Sequence, residues 1–205
     1  VLSVDISAML IERERRDHGN VPSLTFRLAD SDSAALGSGI FDLVCSRFGV
    51  MFFADPVAAF ANIARSMKPG GRLVFVCWQG KDGNPWMFEP AAAAFAHVPA
   101  PPPPAPEDPG PFSFADTGRV RGILNAAAFK SISIDAMTGL QNLGPLDQAL
   151  AFLSTIGPAA QPLAEAAPDV RDRAVAAMRT VLAARDTRDG VQMPYAAWIV
   201  SAGKI

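Results

Sequence analysis

Two aspartates near the start of the chain each follow a short apolar run, where an acidic side chain can accept hydrogen bonds from a ligand. Asp5 closes the run VLSVD, and Asp30 closes LTFRLAD and precedes Ser31. A carboxylate at the end of a strand can accept two hydrogen bonds from a ribose diol, each contributing about 1.5–3 kcal/mol. Asp30 could receive the exocyclic amino group of an adenine. Each residue is equally explained as a solvated acid or a helix or turn cap, so neither is decisive alone.

The elements that must position these acids are clearest between Phe41 and Trp78, where two apolar runs flank a helical pattern. The runs FDLVC and RLVFVCW predict parallel strands covered on both faces, because such strands are apolar almost throughout. Between them, Asp55 is a predicted N-cap and Pro56 takes the favoured first helical position. The turn KPGG at 68–71 is predicted to end the helix. The predicted buried face of this helix consists of Val57, Phe60, Ala61, Ala64 and Met67.

This stretch therefore predicts one strand, helix and strand unit of an open parallel sheet. Such sheets bind ligands beyond the carboxyl ends of their strands, which here are residues 46–48 and 78–79. The runs VLSVDIS and LTFRLAD predict two further strands, and Ser7 is a predicted N-cap of a helix that ends at Gly19. The segment MPYAAWIVSA predicts the final strand.

Charge and cysteine content limit the classes of partner. The formal net charge of −2 and the lack of a Lys/Arg cluster argue against binding to nucleic acid or to an acidic membrane, so a small molecule is the expected partner. No apolar stretch is long enough to span a bilayer. Cys45 and Cys77 have no disulfide-rich spacing, which fits a reducing cytoplasm. We expect inert core thiols in buried strands, with a redox or ligand role left open.

Few other residues have the chemistry of a catalytic site. His97 is a possible base, or an ordinary surface histidine, and no His/Cys/Asp cluster has the spacing of metal ligands. Aromatic residues near the predicted strand ends could form an apolar acceptor pocket, or could pack the following segment onto the sheet. The residues predicted for this pocket are Trp78, Trp86, Phe88 and Phe112.

The order of these motifs resembles the class I S-adenosylmethionine-dependent methyltransferases. The resemblance rests on the strands ending at Asp5 and Asp30, on FDLVCSRFGVMFF and on DPVAAFANIARSMKPGGRLVFVCW, in which KPGG before an apolar strand is the most diagnostic piece. Within that family the chain is most similar to the ubiquinone-biosynthesis group. The resemblance is specific from Val1 to about Gln79 and looser from Phe112 to Ile205.

The resemblance implies an α/β Rossmann-like sheet, mostly parallel with an antiparallel C-terminal strand and helical cap insertions. It implies S-adenosylmethionine as cofactor and S-adenosylhomocysteine as product. Asp5 would bind the ribose hydroxyls. Ile6 and Met9 would pack on the adenine ring, and Asp30 and Ser31 would contact the adenine edge. The methionine part and the methyl group would lie along Ser46, Arg47 and Phe48.

We predict a single methyltransferase-like domain over residues 1–205. The Pro-, Ala- and Phe-rich composition from Asn84 to Phe114 predicts a polyproline-like excursion without a core element. Asp116 is a predicted N-cap of the helix that follows it. The predicted parts are a cofactor half (1–83), a Pro-rich lid segment (84–115), a helix and strand (116–144), a helical cap (145–190) and the final strand (191–205).

The chain departs from the family at its start. The family's first strand and glycine-rich loop should precede the strand that ends at Asp5, and the sequence begins in that strand at Val1. The missing strand would lie between the strands holding Asp5 and Cys45, so we expect a truncated sheet with two apolar edges. If the loop supplies only ~4 kcal/mol of binding free energy, its loss lowers cofactor affinity about a thousandfold.

Three functions follow from these observations. The first is methyl transfer to a small, apolar or aromatic acceptor. The second is a non-catalytic or truncated fragment that keeps the scaffold without binding the donor. A nucleotide-dependent oxidoreductase is disfavoured, because short-chain dehydrogenases need a Tyr and a Lys four residues apart, whereas Tyr195 is followed at that spacing by Ile199.

Overall fold

The computed structural model describes residues 1–105 and 107–205, which form two compact units. The first unit consists of Val1–Cys77, Pro109–Ile134 and Ile199–Ile205. The second consists of Trp78–Asp108 and Asp135–Trp198. The division of the chain into one domain with a lid segment and a cap stays a prediction. No helix among the described residues combines the length and apolar character that crossing a membrane requires.

Strands and helices alternate along the first half of the chain, and helices dominate the region before the last strands. The strands are β1 (Leu2–Asp5), β2 (Thr25–Leu28), β3 (Phe41–Arg47), β4 (Met67–Trp78), β5 (Phe129–Asn142), β6 (Asp186–Thr187) and β7 (Gly190–Lys204). The helices are α1 (Ala8–His18), α2 (Pro56–Ser66), α3 (Pro85–Ala94), α4 (Thr117–Ala126), α5 (Leu146–Thr155), α6 (Ala160–Glu165) and α7 (Pro168–Ala183). Short 3₁₀ turns lie at Val50–Phe52 and Lys81–Gly83.

The strands form two separate sheets within the described residues. β1 and β2 pair in parallel, with Asp5 opposite Leu28. The second sheet has the order β3-β4-β7-β5, with β6 paired antiparallel to β7. β3 and β4 are parallel neighbours, as predicted. The predicted fold class, a mostly parallel α/β sheet with an antiparallel C-terminal strand, is confirmed.

Each sheet has edge strands that are paired on one side only, and β1 and β3 are two of them. Among the described residues, β1 pairs only with β2, and β3 pairs only with β4. These are the two strands between which the sequence predicts a further strand. The absence of that strand through truncation stays a prediction.

Side-chain caps fix the starts of three helices, and all three predicted caps are confirmed. Ser7 Oγ accepts a hydrogen bond from the Leu10 N–H, which begins α1. Asp55 and Asp116 each accept from the N–H three residues ahead and begin α2 and α4. Pro56 occupies the first turn of α2. It has no N–H, but an N–H at this position would have no partner within the helix.

The core of the first unit is a cluster of phenylalanines around α2. The Phe60 ring centroid lies 5.5 Å from that of Phe75, 6.1 Å from that of Phe114 and 6.4 Å from that of Phe129. All four side chains are almost fully buried. The predicted buried face of α2 is therefore only partly right. Val57 is 37% exposed, while Ala59 and Ile63 are buried with Phe60, because the helix is turned to direct Phe60 onto the sheet.

One local prediction about the chain path is partly right and a second is wrong. Helix α2 ends at Ser66, just before KPGG, as predicted, but residues 68–71 lie inside β4. β3 and β4 stay paired on both sides of this segment because the register shifts between Phe41 and Leu43. Gly70 has a left-handed backbone here (φ +75°). The excursion predicted from Asn84 onward contains α3, which begins at Pro85 and buries Trp86 and Met87. Pro85 is tolerated because it stands at the first helical position.

The two cysteines differ in their surroundings. Cys77 is buried, and this burial raises the pKa of its thiol to about 12, so it is inert as predicted. Cys45 is exposed, contrary to the prediction of a core thiol. It lies on β3 opposite Val74 and on the same face of the strand as Leu43, which is 56% exposed, so this face is open to water. The register therefore does not set the two thiols opposite each other.

Candidate functional site

The carboxyl ends of β1 and β2 lie side by side. Asp5 stands opposite Leu28 in the register, and the Ala29 N–H donates to the Asp5 carbonyl oxygen over 3.0 Å. Asp30 follows directly. The two aspartates that the sequence singles out therefore occupy the same end of this sheet, as parallel pairing requires.

Asp5 sits beside two exposed apolar side chains. Its Oδ1 accepts a hydrogen bond from the Ser7 N–H at 2.7 Å, which fixes the carboxylate at the start of α1. Ile6 is 72% exposed and Met9 is 75% exposed. A carboxylate next to uncovered apolar surface can bind a ligand that has both hydroxyl groups and a flat apolar face.

Asp30 begins a tight turn of its own. Its Oδ1 accepts from the Asp32 N–H at 2.9 Å, and its carbonyl oxygen accepts from the Ala34 N–H at 2.8 Å. This Asx-type turn sets the position of Ser31 and explains locally why an Asp-Ser-Asp sequence follows β2.

Asp32 connects this turn to the segment after β3. Its Oδ2 accepts from the Ala54 N–H at 3.0 Å. The loop after β2 and the segment that follows β3 therefore meet in the first unit. Sequence reasoning missed Asp32, although the alternation of acids in ADSDS was a visible signal of a structured turn.

Burial raises the pKa of Asp32 above its ordinary value. The Ala54 N–H opposes this shift, whereas the nearby Asp30 and Asp55 carboxylates add to it. Since the pKa is raised in the folded state, folding favours the protonated form. The ionised carboxylate thus costs stability, and the cost appears as the pH rises through the folded-state pKa.

We expect Asp32→Asn to stabilise the protein slightly at pH 7. Asparagine keeps an oxygen that can accept from the Ala54 N–H and has no charge facing Asp30 and Asp55. Because the site is largely solvated, the expected gain in unfolding free energy is only about 0.2–1 kcal/mol. Urea unfolding at pH 7 measures it. Below the ordinary pKa of 3.8 the gain should disappear, and a variant less stable than wild type at pH 7 would contradict this account.

The end of β3 turns sharply at Phe48. This residue has a left-handed backbone (φ +59°), which is uncommon for a non-glycine residue, and its N–H donates to the Val76 carbonyl at 3.0 Å. Ser46 Oγ packs so closely that a Cβ on Gly49 would lie 3.2 Å from it. Arg47 is exposed. Residues in such sparsely populated conformations concentrate at functional sites, which supports a ligand contact at this strand end.

The predicted acceptor residues fall in both units. Trp78 and Trp86 lie in the second unit with ring centroids 5.4 Å apart. Trp86 is only 6% exposed and its Nε1–H donates to Asn84 Oδ1, so it has a packing role within that unit. Phe88 lies in the same unit, with Lys81 Nζ 5.3 Å above its ring, whereas Phe112 belongs to the first unit. The acceptor role of these residues stays a prediction.

His97 is exposed and follows α3 in the second unit. Its role as a base stays a prediction. Two surface cavities, of about 280 and 260 Å³, are lined by other residues. Among residues 1–105 and 107–205, no group of three His, Cys, Asp or Glu side chains could hold a metal ion.

Comparison with known proteins links the first unit to a family. A family model described as a methyltransferase domain matches residues 1–75. The malonyl-[acyl-carrier protein] O-methyltransferase of Hahella chejuensis is 36% identical over 92 residues, which are 39% of this chain and 33% of that protein. The ubiquinone/menaquinone biosynthesis C-methyltransferase of Proteus mirabilis is 24% identical over 150 residues, covering 68% of this chain and 60% of that protein.

The chain thus spans less than two thirds of the length of these relatives. A solved structure, that of the YcgJ protein of Bacillus subtilis, is similar with a TM-score of 0.59 at 14% identity. The alignment covers 99% of this chain and 81% of that one. At this identity the likeness shows the fold.

Proposed function

We propose that this chain, which belongs to the class I S-adenosylmethionine-dependent methyltransferases, binds S-adenosylmethionine at the carboxyl ends of β1, β2 and β3 for methyl transfer to a small acceptor. The observation that carries the proposal is that β1 and β2 end side by side and that the loop after β2 contacts the segment between β3 and α2. The Ala29 N–H donates to the Asp5 carbonyl at the first of these places, and the Ala54 N–H donates to Asp32 Oδ2 at the second.

The residues at these ends fit an adenosyl group in their chemistry. Asp5 Oδ1 already accepts from Ser7, and its carboxylate has further acceptor sites for the ribose hydroxyls. Ile6 and Met9 offer exposed apolar surface to the adenine face, which would bury it from water. Asp30 and Ser31 would contact the adenine edge. In the same proposal, Ser46, Arg47 and Phe48 contact the methionine part.

When bound, S-adenosylmethionine supplies an electrophilic methyl group on a positively charged sulfur. In the proposed reaction, the acceptor's electron pair would form the bond to the methyl carbon as the carbon–sulfur bond breaks, and S-adenosylhomocysteine would be the neutral leaving group. The chain's part is to align the acceptor and exclude water. For an acceptor that loses a proton, His97 is the proposed base. We infer a small apolar or aromatic acceptor, because the predicted acceptor residues are aromatic, and a cytoplasmic location, because the two cysteines have no disulfide-rich spacing.

Calorimetry with S-adenosylhomocysteine tests the proposal on the chain as it stands. We expect saturable binding at one site, with adenosine weaker and homocysteine without measurable binding. Transfer of a labelled methyl group from S-adenosylmethionine to small aromatic acceptors then tests catalysis. No binding heat and no thermal shift at millimolar S-adenosylhomocysteine would overturn the proposed binding.

A second candidate, a non-catalytic scaffold, is favoured by the unpaired edges of β1 and β3 in the described sheets. If no strand fills the space between these two strands, the cofactor site is incomplete. The same calorimetry separates the two functions. If the chain folds cooperatively and binds no S-adenosylhomocysteine, the scaffold alternative holds for it.

A further inference from the structure

Asn62 is a polar side chain in the buried face of α2. It is 6% exposed and stands next to Ile63 and two residues after Phe60, which are core residues of the first unit. A buried amide that lacks hydrogen-bond partners costs about 1–3 kcal/mol, so its partners show why it is tolerated there.

All the partners of the Asn62 amide are defined. Its Nδ2 donates to the Ser31 carbonyl at 2.9 Å and to the Ala34 carbonyl at 2.8 Å. Its Oδ1 accepts from Arg65 Nη2 at 2.9 Å. Both donor hydrogens therefore go to one segment, the turn after β2, which lies 28 and 31 residues earlier in the chain.

Asn62 also completes the fixation of one peptide unit. The peptide between Ser31 and Asp32 has two polar groups. Its N–H donates to Asp30 Oδ1 at 2.9 Å, and its carbonyl accepts from Asn62. With both groups held, the plane of this peptide cannot rotate without breaking a hydrogen bond, and the positions of Asp30 and Ser31 are fixed with it.

A role in packing alone would not call for asparagine at this position. Leucine has the same side-chain branching, a higher helix propensity and no polar group to satisfy on a buried face. Among the described residues, two further hydrogen bonds hold the segment around this turn, from Arg27 to the Ala35 carbonyl and from the Ala54 N–H to Asp32 Oδ2. Asn62 is the buried anchor among these contacts.

We propose that Asn62 is a positioning residue that holds the turn from Asp30 to Ala34 in the conformation that recognises the adenine edge. This inference rests on the proposed function, and it concerns base recognition at that site. Asn62 acts through Ser31 and has no contact of its own with the cofactor in this proposal. Loss of its two donors would leave the turn free to rotate. The chain would then bind a 6-amino purine with less preference over a 6-oxo purine.

The test compares two probes, S-adenosylhomocysteine and S-inosylhomocysteine, in which an oxo group replaces the 6-amino group. Their dissociation constants are measured by calorimetry for the full chain. We expect wild type to prefer the adenosyl probe, and Asn62→Leu to lower this preference by about three- to tenfold, as expected for the loss of one net hydrogen bond. Asn62→Asp, which keeps the size and cannot donate, should lower it as well if the leucine variant folds poorly.

Arg65→Ala is the matched control. It removes the donor to Asn62 Oδ1 and leaves both hydrogen bonds to the turn, so the preference should stay at the wild-type value. If both Asn62 variants weaken the two probes equally, the role is merely structural and the inference fails. A wild type that binds both probes equally overturns the inference and leaves the proposed function standing. A wild type that binds neither probe overturns both.

Discussion

Asp5→Asn is expected to weaken binding of S-adenosylhomocysteine by about ten- to a hundredfold. The carboxylate is proposed to accept hydrogen bonds from the ribose hydroxyls, and a charged acceptor contributes about 1.5–3 kcal/mol, where 1.4 kcal/mol is tenfold in affinity. Asparagine has one oxygen, which the Ser7 N–H would occupy as it occupies Asp5 Oδ1 at 2.7 Å. The variant therefore keeps the turn and loses the charge. Calorimetry on the purified chain gives the ratio of dissociation constants.

Asp42→Asn is the matched control for charge. Asp42 lies at the opposite end of the parallel strand β3 from the proposed site, where the Lys68 ammonium at 2.8 Å lowers the pKa of its carboxyl. Its replacement removes the same charge from the same unit and should leave the affinity unchanged. An Asp5→Asn variant with wild-type affinity would contradict the ribose assignment. An equal loss of affinity in both variants would show that the effect comes from net charge alone.

Phe60→Ala is expected to lower the free energy of unfolding by about 3–5 kcal/mol. Phe60 is fully buried and has ring contacts with Phe75, Phe114 and Phe129. Its removal loses the burial of the ring and leaves a cavity between α2 and the sheet, because three other rings cannot all move inward. Urea unfolding followed by tryptophan fluorescence and by circular dichroism measures the change and shows whether both probes report one transition.

Phe52→Ala is the matched control for the loss of a phenyl ring. Phe52 lies in the 3₁₀ turn of the same unit and is 55% exposed. Its replacement should cost less than about 1 kcal/mol, because most of its ring is already in water. If the two variants lose the same stability, the phenylalanine cluster is not the centre of the core.

The sequence predicts well those features whose causes are local. The N-caps Ser7, Asp55 and Asp116 are each defined by a side chain and an N–H three residues away, so a short window contains both partners. The parallel pairing of β3 with β4 follows from two apolar runs joined by a helix. Apolar runs also predict the two strands that precede Asp5 and Asp30, so the positions of these two acids at strand ends were predicted.

Features whose partners lie far apart in sequence were not predicted. The hydrogen bonds made by Asn62 and Asp32 span 22 to 31 residues, so no short window of sequence contains both partners. Cys45 is predicted to be buried because its strand is apolar, yet its exposure depends on what packs over its face of β3, which the strand's own sequence does not contain. The helix α3 was missed because proline-rich composition outweighed an alanine run that favours a helix.

The position of β7 between β4 and β5 makes assembly of this sheet a late event in folding. β7 follows every other strand in the chain, and its Ala196 is joined to Asn84 across 112 residues. Until the segment from Gly190 to Lys204 is in place, β4 and β5 have no common neighbour. Pairings of such sequence separation close large loops and slow folding. During synthesis, the edge of β4 that faces β7 therefore stays unpaired until residues 190–204 have been made.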